Sequence, residues 1–398
     1  MAEIRSYMKE KEKREQNKTD YKDKIRRHRL GSFLRILSVV LAIAVVITLV
    51  TVQYRNHVYT SYDTISSIEK ETVTGATTVR LGDSILTYSR DGAHCTDAKG
   101  NILWNQTYEI QDVLLDVCQD VAVIAAYNGR DVYVVSSEKL LGSFTTNLPI
   151  RRVSVSATGR VVVLMADTNA TYWNIYSAEG KWQYEGMSTM TGSGEPMSVS
   201  LSPNGELLQI SYMYLDSGLQ KTNVVFYNLG PVGANKTDYI VSAYEYKDIL
   251  IPYGEFMNDQ TSFAVGDSMM ALYSGSQKPA LLGMFLFEEE VQSVFYNEEY
   301  VGLVFYSETG HSLYKMNVYS TSGTQVGTYY FNIDYTDIFF EDDAFVVYNS
   351  SECVITTLDS EEKYSGTFEK TVLNMVPMKA PYKYFLVTKD SLDTIQLK

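Results

Sequence analysis

The sequence is poor in the residues that most catalytic and metal chemistry relies on. It holds four histidines and three cysteines among 398 residues. His28, His57, His94 and His311 are scattered, and Cys95, Cys118 and Cys353 pair at neither metal nor redox spacing. No His-Glu-x-x-His, Gly-x-Ser-x-Gly, Walker or dinucleotide-binding signature occurs. The expectation is therefore no catalytic set, no metal ligands and no cofactor. A chain of this length builds enough core to fold without disulfides, so scarce cysteine is compatible with an external domain, more in a bacterial setting than an animal one. Positive charge is also short. The net charge is −14, and residues 1–35 contribute twelve Lys/Arg against six Asp/Glu, so the remainder carries −20. A surface that acidic repels nucleic acid and anionic headgroups.

The charge gap is sharpest at Ile36–Val52, ILSVVLAIAVVITLVTV, which has no charge, no Gly and no Pro. With Phe33 to Arg35 it is long enough, as a helix, to match a bilayer core of about 30 Å. Lys22, Lys24, Arg26, Arg27, Arg29 and Arg35 crowd its N-terminal side, and only Arg55 lies close beyond it. The positive-inside rule then places the N-terminus in the cytoplasm and the bulk outside. The flank VTVQYRNHVYTS has no small-x-small cleavage site, so the run reads as an uncleaved anchor. The expected organisation is a cytoplasmic basic tail (1–32), a single transmembrane helix (33–52), a juxtamembrane linker (53–64) and an extracytoplasmic domain (65–398). The expected location is the plasma membrane, single-pass.

After Thr74 helical periodicity is nearly absent, and short runs of Val, Ile, Tyr and Phe alternate with polar turns. One turn type recurs before an apolar strand, at positions 83, 120, 159, 205, 259, 298, 343 and 381, with intervals of 37, 39, 46, 54, 39, 45 and 38. The mean of about 43 is the length of a four-stranded propeller blade. Strands such as VVVLMA (Val161–Ala166) are apolar at every position, as expected where both faces are covered by neighbouring blades. A second turn type, from Asp97-Ala98-Lys99-Gly100 to Asp359–Glu362, occurs seven times, so the eighth unit stops after three strands. The expectation is an all-β, eight-bladed propeller, with seven blades as the alternative. Its missing strand should be supplied by Ile65–Thr74, pairing with Thr394–Leu397.

The first unit, ILTYSRDGAHCTDAKGNILW, resembles the repeat of quinoprotein-like propellers, with Trp104 four residues after Gly100 and Trp182 on the same face of an equivalent strand. Leu201-Ser202-Pro203-Asn204-Gly205 resembles the turn of WD40-like repeats. Anchor, length and repeats together resemble a family of bacterial membrane-anchored propellers catalogued as a domain of unknown function. The resemblance implies a fold; the adjacent-cysteine motif of the quinone enzymes is missing here.

In a propeller, the loops joining second to third strands gather at one mouth of the channel. Here they supply a candidate binding mouth of Arg90, Asp91, Asn128, Arg130, Asp167, Asp216, Asp267, Glu308, Asn349 and Lys389. The acidic turn around Asp334, Asp337 and Glu341-Asp342-Asp343 lacks the spacing and glycine of a tight calcium loop. The 32 tyrosines lie mostly in strands, where they pack between blades with hydroxyls at the rim. The functional expectation is a non-enzymatic binding or scaffold module acting in envelope assembly, secretion or sensing. Its partners would be the membrane and an envelope protein or glycan, with no nucleic acid. Alternatives are an extracytoplasmic glycan hydrolase or lyase, and a transmembrane sensor signalling through the basic tail.

Overall fold

The computed structural model describes residues 2–55, 57–69, 75–189, 192–307 and 310–398. Two compact units are present, Met1–Val58 and Tyr59–Lys398.

The first unit is a single helix, Ala2–Arg55. The expectation of a discrete membrane-crossing helix over 33–52 finds no support in the described residues. Among the described residues no helix is long and apolar enough to cross a membrane. The apolar run instead continues a longer helix whose N-terminal half is rich in Lys, Arg and Glu. Its large apolar side chains that are described are exposed, Val45 at 52% and Leu41 at 65%.

The second unit is all-β. Among the described residues it contains eight four-stranded antiparallel sheets, each built from consecutive strands except one. Every strand expected after the recurring turn is the second strand of its sheet: Ser84–Tyr88, Val121–Ala126, Val161–Ala166, Leu207–Asp216, Thr261–Gly266, Tyr300–Tyr306, Ala344–Tyr348 and Lys383–Thr388. These strands are mostly buried at consecutive positions, as in Val121–Ala126, because each blade is covered on both faces. The count is eight blades, and the seven-bladed alternative falls away.

The exceptional sheet is blade 8. Its first three strands are Val372–Pro377, Lys383–Thr388 and Ser391–Leu397, and its fourth is Tyr62–Glu69 from the start of the unit. The register pairs Tyr62 with Leu397, Ser66 with Thr394 and Ile68 with Leu392, with a bulge between Thr64 and Ser66. The closing strand therefore begins three residues before the expected Ile65, and Ile65 itself falls in the bulge; residues 70–74 lie outside the described segment. Lys370 fastens this seam at 2.8 Å from Asp393, which also accepts from Ser67.

Neighbouring blades are latched by an aromatic on the outer strand. Trp104 Nε1 donates to Ser136 O in the next blade (2.9 Å), Tyr184 Oη to Leu229 O (2.8 Å), Tyr244 Oη to Pro279 O (3.0 Å) and Tyr329 Oη to Leu358 O (2.6 Å). Burying the ring while a rim carbonyl takes the hydroxyl or indole proton satisfies both ends of an amphipathic side chain. The counterpart of Trp104 in blade 3 is thus Tyr184; Trp182, two positions earlier, is 57% exposed.

Candidate functional site

The recurring turns join first to second strands and ring one mouth of the central channel; the loops joining second to third strands ring the other. Arg90, Asp91, Asn128, Arg130, Asp167, Asp216, Asp267, Asn349 and Lys389 all lie in or beside that second set of loops. Glu308 lies outside the described residues. The candidates sit around the mouth one blade at a time, and among the described residues no hydrogen bond or ion pair links any two of them. Much of their bonding is local. Arg90 and Asp91 accept at their carbonyls from Ile110 and Tyr108, which ties blade 1 to its outgoing loop. Asn128, at φ +58, accepts at its side chain from Arg151. Asn349 caps its own turn through Ser351 N and Glu352 N, both at 2.9 Å. Asp216 pairs with Lys221 at 2.7 Å, and that hydrogen bond holds its carboxyl below the usual range. The hairpin carrying Asp216 has ten residues in each strand, with Leu215 and Leu219 exposed beside its tip. Asp167, with Thr168, Asn169 and Glu195, lines an open pocket of about 510 Å³ between blades 3 and 4.

The densest chemistry lies deeper, on the inner strands, where sequence reading placed nothing. These strands are Val113–Cys118 (blade 2), Ile150–Val155 (blade 3), Glu195–Leu201 (blade 4), Tyr253–Phe256 (blade 5) and Ser293–Tyr296 (blade 6). A repeated hydrogen bond links them: Val155 N donates to Asp116 Oδ2 (2.7 Å), Leu201 N to Ser154 Oγ (3.1 Å) and Phe256 N to Ser200 Oγ (3.0 Å). Ser154 in turn hydrogen-bonds Asp116, and Ser200 hydrogen-bonds Glu255. The series thus begins and ends on a carboxyl. Asp116 and Glu255 face each other electrostatically across this arc. Burial, then the Asp116 charge, push the Glu255 carboxyl up to about 8 against the pull of Ser200 and Arg152. Burial likewise raises Asp116, despite its hydrogen bonds from Val155, Ser154 and Val117.

Two tyrosines complete the cluster. Tyr253 hydrogen-bonds Tyr296, and burial together with both carboxylates raises the two phenols. Tyr296, on the inner strand of blade 6, is 37% accessible. Cys118, two residues along the strand from Asp116, is pushed up to about 12 by burial and then by Asp116, so its thiol stays protonated. At the recurring-turn mouth, Gln119 Nε2 of blade 2 lies 3.4 Å from Glu298 Oε1 of blade 6. Blades four apart in a ring of eight are opposite each other, so this contact bridges the channel at that end. Chemically, the cluster can keep the Glu255 carboxyl protonated near neutral pH and offer carboxyl and phenol groups to a ligand rich in hydroxyls or bearing a cation. Among the described residues no three His, Cys, Asp or Glu side chains gather as a metal site. The sequence did hold a signal: Asp116 in VLLDVC and Glu255 in YGEF are acids inside short strands with apolar neighbours.

With the ring and its channel described, the sequence comparison decides the family, by a match over residues 55–397 to a family of unknown function, DUF5711. The chain belongs to the DUF5711 family. No curated protein matches the sequence. Among solved structures, this DUF5711 propeller is similar to BamB from Moraxella catarrhalis, with a TM-score of 0.51 at 12% identity over 85% of this chain and 100% of that one. It is also similar to apo AztD from Citrobacter koseri, with a TM-score of 0.51 at 9% identity over 77% of this chain and 90% of that one. At such identity the likeness is one of fold.

Proposed function

We propose that this DUF5711 chain is a membrane-anchored binding or scaffold module of the bacterial cell envelope. The N-terminal helix inserts N-in through the apolar run Ile36–Val52, and the propeller stands outside. The anchor rests on sequence: an uncharged apolar run with a basic flank on one side.

The observation that carries the reading is where the chain arrives. Tyr59 N donates to Lys363 O (2.7 Å), Thr60 N to Lys398 O (3.0 Å) and Lys398 N to Ser61 O (2.8 Å). These contacts lie at the recurring-turn end of blades 7 and 8, the end at which the channel is bridged. The mouth that carries Asp91, Asp167 and Asp216, with the Asp116–Glu255 cluster behind it, lies at the opposite end of the propeller from these contacts. A partner in the envelope is expected at that mouth. Protease added to spheroplasts should digest the propeller and spare the basic tail. A protected C-terminus would overturn the orientation, and with it the envelope role.

The Asp116–Glu255 pair gives one reason to keep a second reading, an extracytoplasmic glycan hydrolase or lyase, since a carboxyl that keeps its proton near neutral pH can act as a general acid. Turnover of a cell-wall glycan that disappears in Glu255→Gln or Asp216→Asn would promote it. Turnover untouched by both substitutions would remove it.

A further inference from the structure

A groove of about 520 Å³ runs between blades 6 and 7, remote from the channel. One wall is the outer strand of blade 6, Gln325–Phe331, which is the last strand of its sheet. Residues Thr328 to Ile333 line the groove consecutively, so it follows the strand's own backbone edge. That edge carries neither charge nor proline, the devices that usually keep strand edges from pairing. Tyr330 is 52% exposed beside it.

The opposite wall is one face of blade 7. Glu352, Val354 and Thr356 alternate along the strand Glu352–Thr357, and Glu362 stands directly across from Thr356 in the ladder. Phe345 and Val347 form an apolar floor. The two carboxylates therefore mark the two ends of one face, with Val354 between them. Four residues of extended chain span roughly 13 Å, so Glu352 and Glu362 are spaced like side chains i and i+4 of a facing strand.

We infer that this groove takes an extended peptide of a partner protein, added as a fifth strand to blade 6. The peptide carries Lys or Arg at positions i and i+4 and an apolar residue at i+2. Main-chain hydrogen bonds to the Gln325–Phe331 edge supply affinity, and the two carboxylates with the apolar floor supply register. An opposite-charge match at both ends penalises a one-residue slip, which would turn both basic side chains away from blade 7. This deepens the binding-module reading by naming a partner's chemistry at a site separate from the channel, so failure here leaves the channel reading standing.

The test uses the full chain in detergent and a fluorescein-labelled nonapeptide with the core Lys-Thr-Val-Thr-Lys, beside the same peptide with both lysines replaced by glutamate. The lysine peptide should bind at least tenfold more tightly by anisotropy and slow amide exchange in residues 325–331. In the double variant Glu352→Lys/Glu362→Lys the preference should reverse, which separates lost binding from lost folding. No saturable binding up to millimolar peptide, or a preference indifferent to the charge reversal, overturns the proposal. A dimer by ultracentrifugation with the same edge already protected would assign the groove to a second copy, and overturns it too.

Discussion

At the scale of single residues, two carboxyls pull stability in opposite directions with pH. Glu255 has a folded pKa raised to about 8 by burial and the Asp116 charge. The unfolded chain releases that proton near the ordinary value, so between roughly pH 4.5 and 8 the folded state binds the extra proton. Stability from this group is full below that window and falls as pH rises through it. Glu255→Gln should therefore stabilise the fold at pH 8–9, by on the order of a few kcal/mol at most and seen as a higher melting temperature, and change little near pH 4. Thermal melts across that range check it; a variant equally shifted at both ends would mean that the carboxyl is not the cause. Asp393 behaves oppositely. Burial works against its ionisation, but hydrogen bonds from Lys370, Ser67 and Ser391 outweigh this and hold it below the usual range. Its contribution is present above the unfolded pKa and is lost as pH falls through the folded one. Asp393→Asn should thus destabilise at pH 7 and converge on the parent only in melts extended below the ordinary aspartate range, to about pH 2.

Among elements, the closing strand is where one substitution has the widest effect. Ile68 pairs with Leu392 inside the ladder, whereas Ile65 sits in the bulge and is 55% exposed. A proline removes a ladder donor in the first case and is tolerated at irregular positions such as the second. Ile68→Pro should lower the melting temperature strongly, and Ile65→Pro far less. Equal melting of the two would deny the register. The same seam explains a glycine. Gly100 has φ +81, and a Cβ there would meet Ile68 Cδ1 at 2.3 Å. Gly323 has φ +78 but nothing closer than 3.7 Å. Both Gly→Ala changes incur left-handed strain of about 1 kcal/mol, and only Gly100→Ala adds a clash in the seam. A larger loss of stability in Gly100→Ala than in Gly323→Ala, read from urea unfolding, is the expected outcome.

For the whole molecule, closure by a strand more than three hundred residues from its partner makes the ring conditional on a complete chain. Removing residues 391–398 would leave Tyr62–Glu69 without a partner and one blade with two strands. A ring of stacked blades loses an interface when it opens, so this truncation should abolish a single cooperative melt and expose blades 7 and 8 to limited proteolysis first. A truncated chain that melts like the parent would show that the ring holds without its seam. Closure also sets the polarity of the unit, because the arriving chain, the bridged end of the channel and the C-terminus all lie on one side.

Blade number, strand identity and the closing segment were legible in the sequence because each rests on local pattern. A turn recurring about every 43 residues precedes a strand apolar at every position, and a unit one strand short at one end leaves a strand-like segment unassigned at the other. The same counting put the described mouth candidates in or beside the loops that join second to third strands. What the sequence could not reveal was convergence. Asp116 and Glu255 are separated by three blades and approach only because eight inner strands turn around one axis. Their titration depends on the water they lose there, which no local pattern encodes. The groove beside Gln325–Phe331 likewise exists only where one blade's edge lies against the next blade's face. Local periodicity determined the parts, and the closed ring decided which side chains share a solvent.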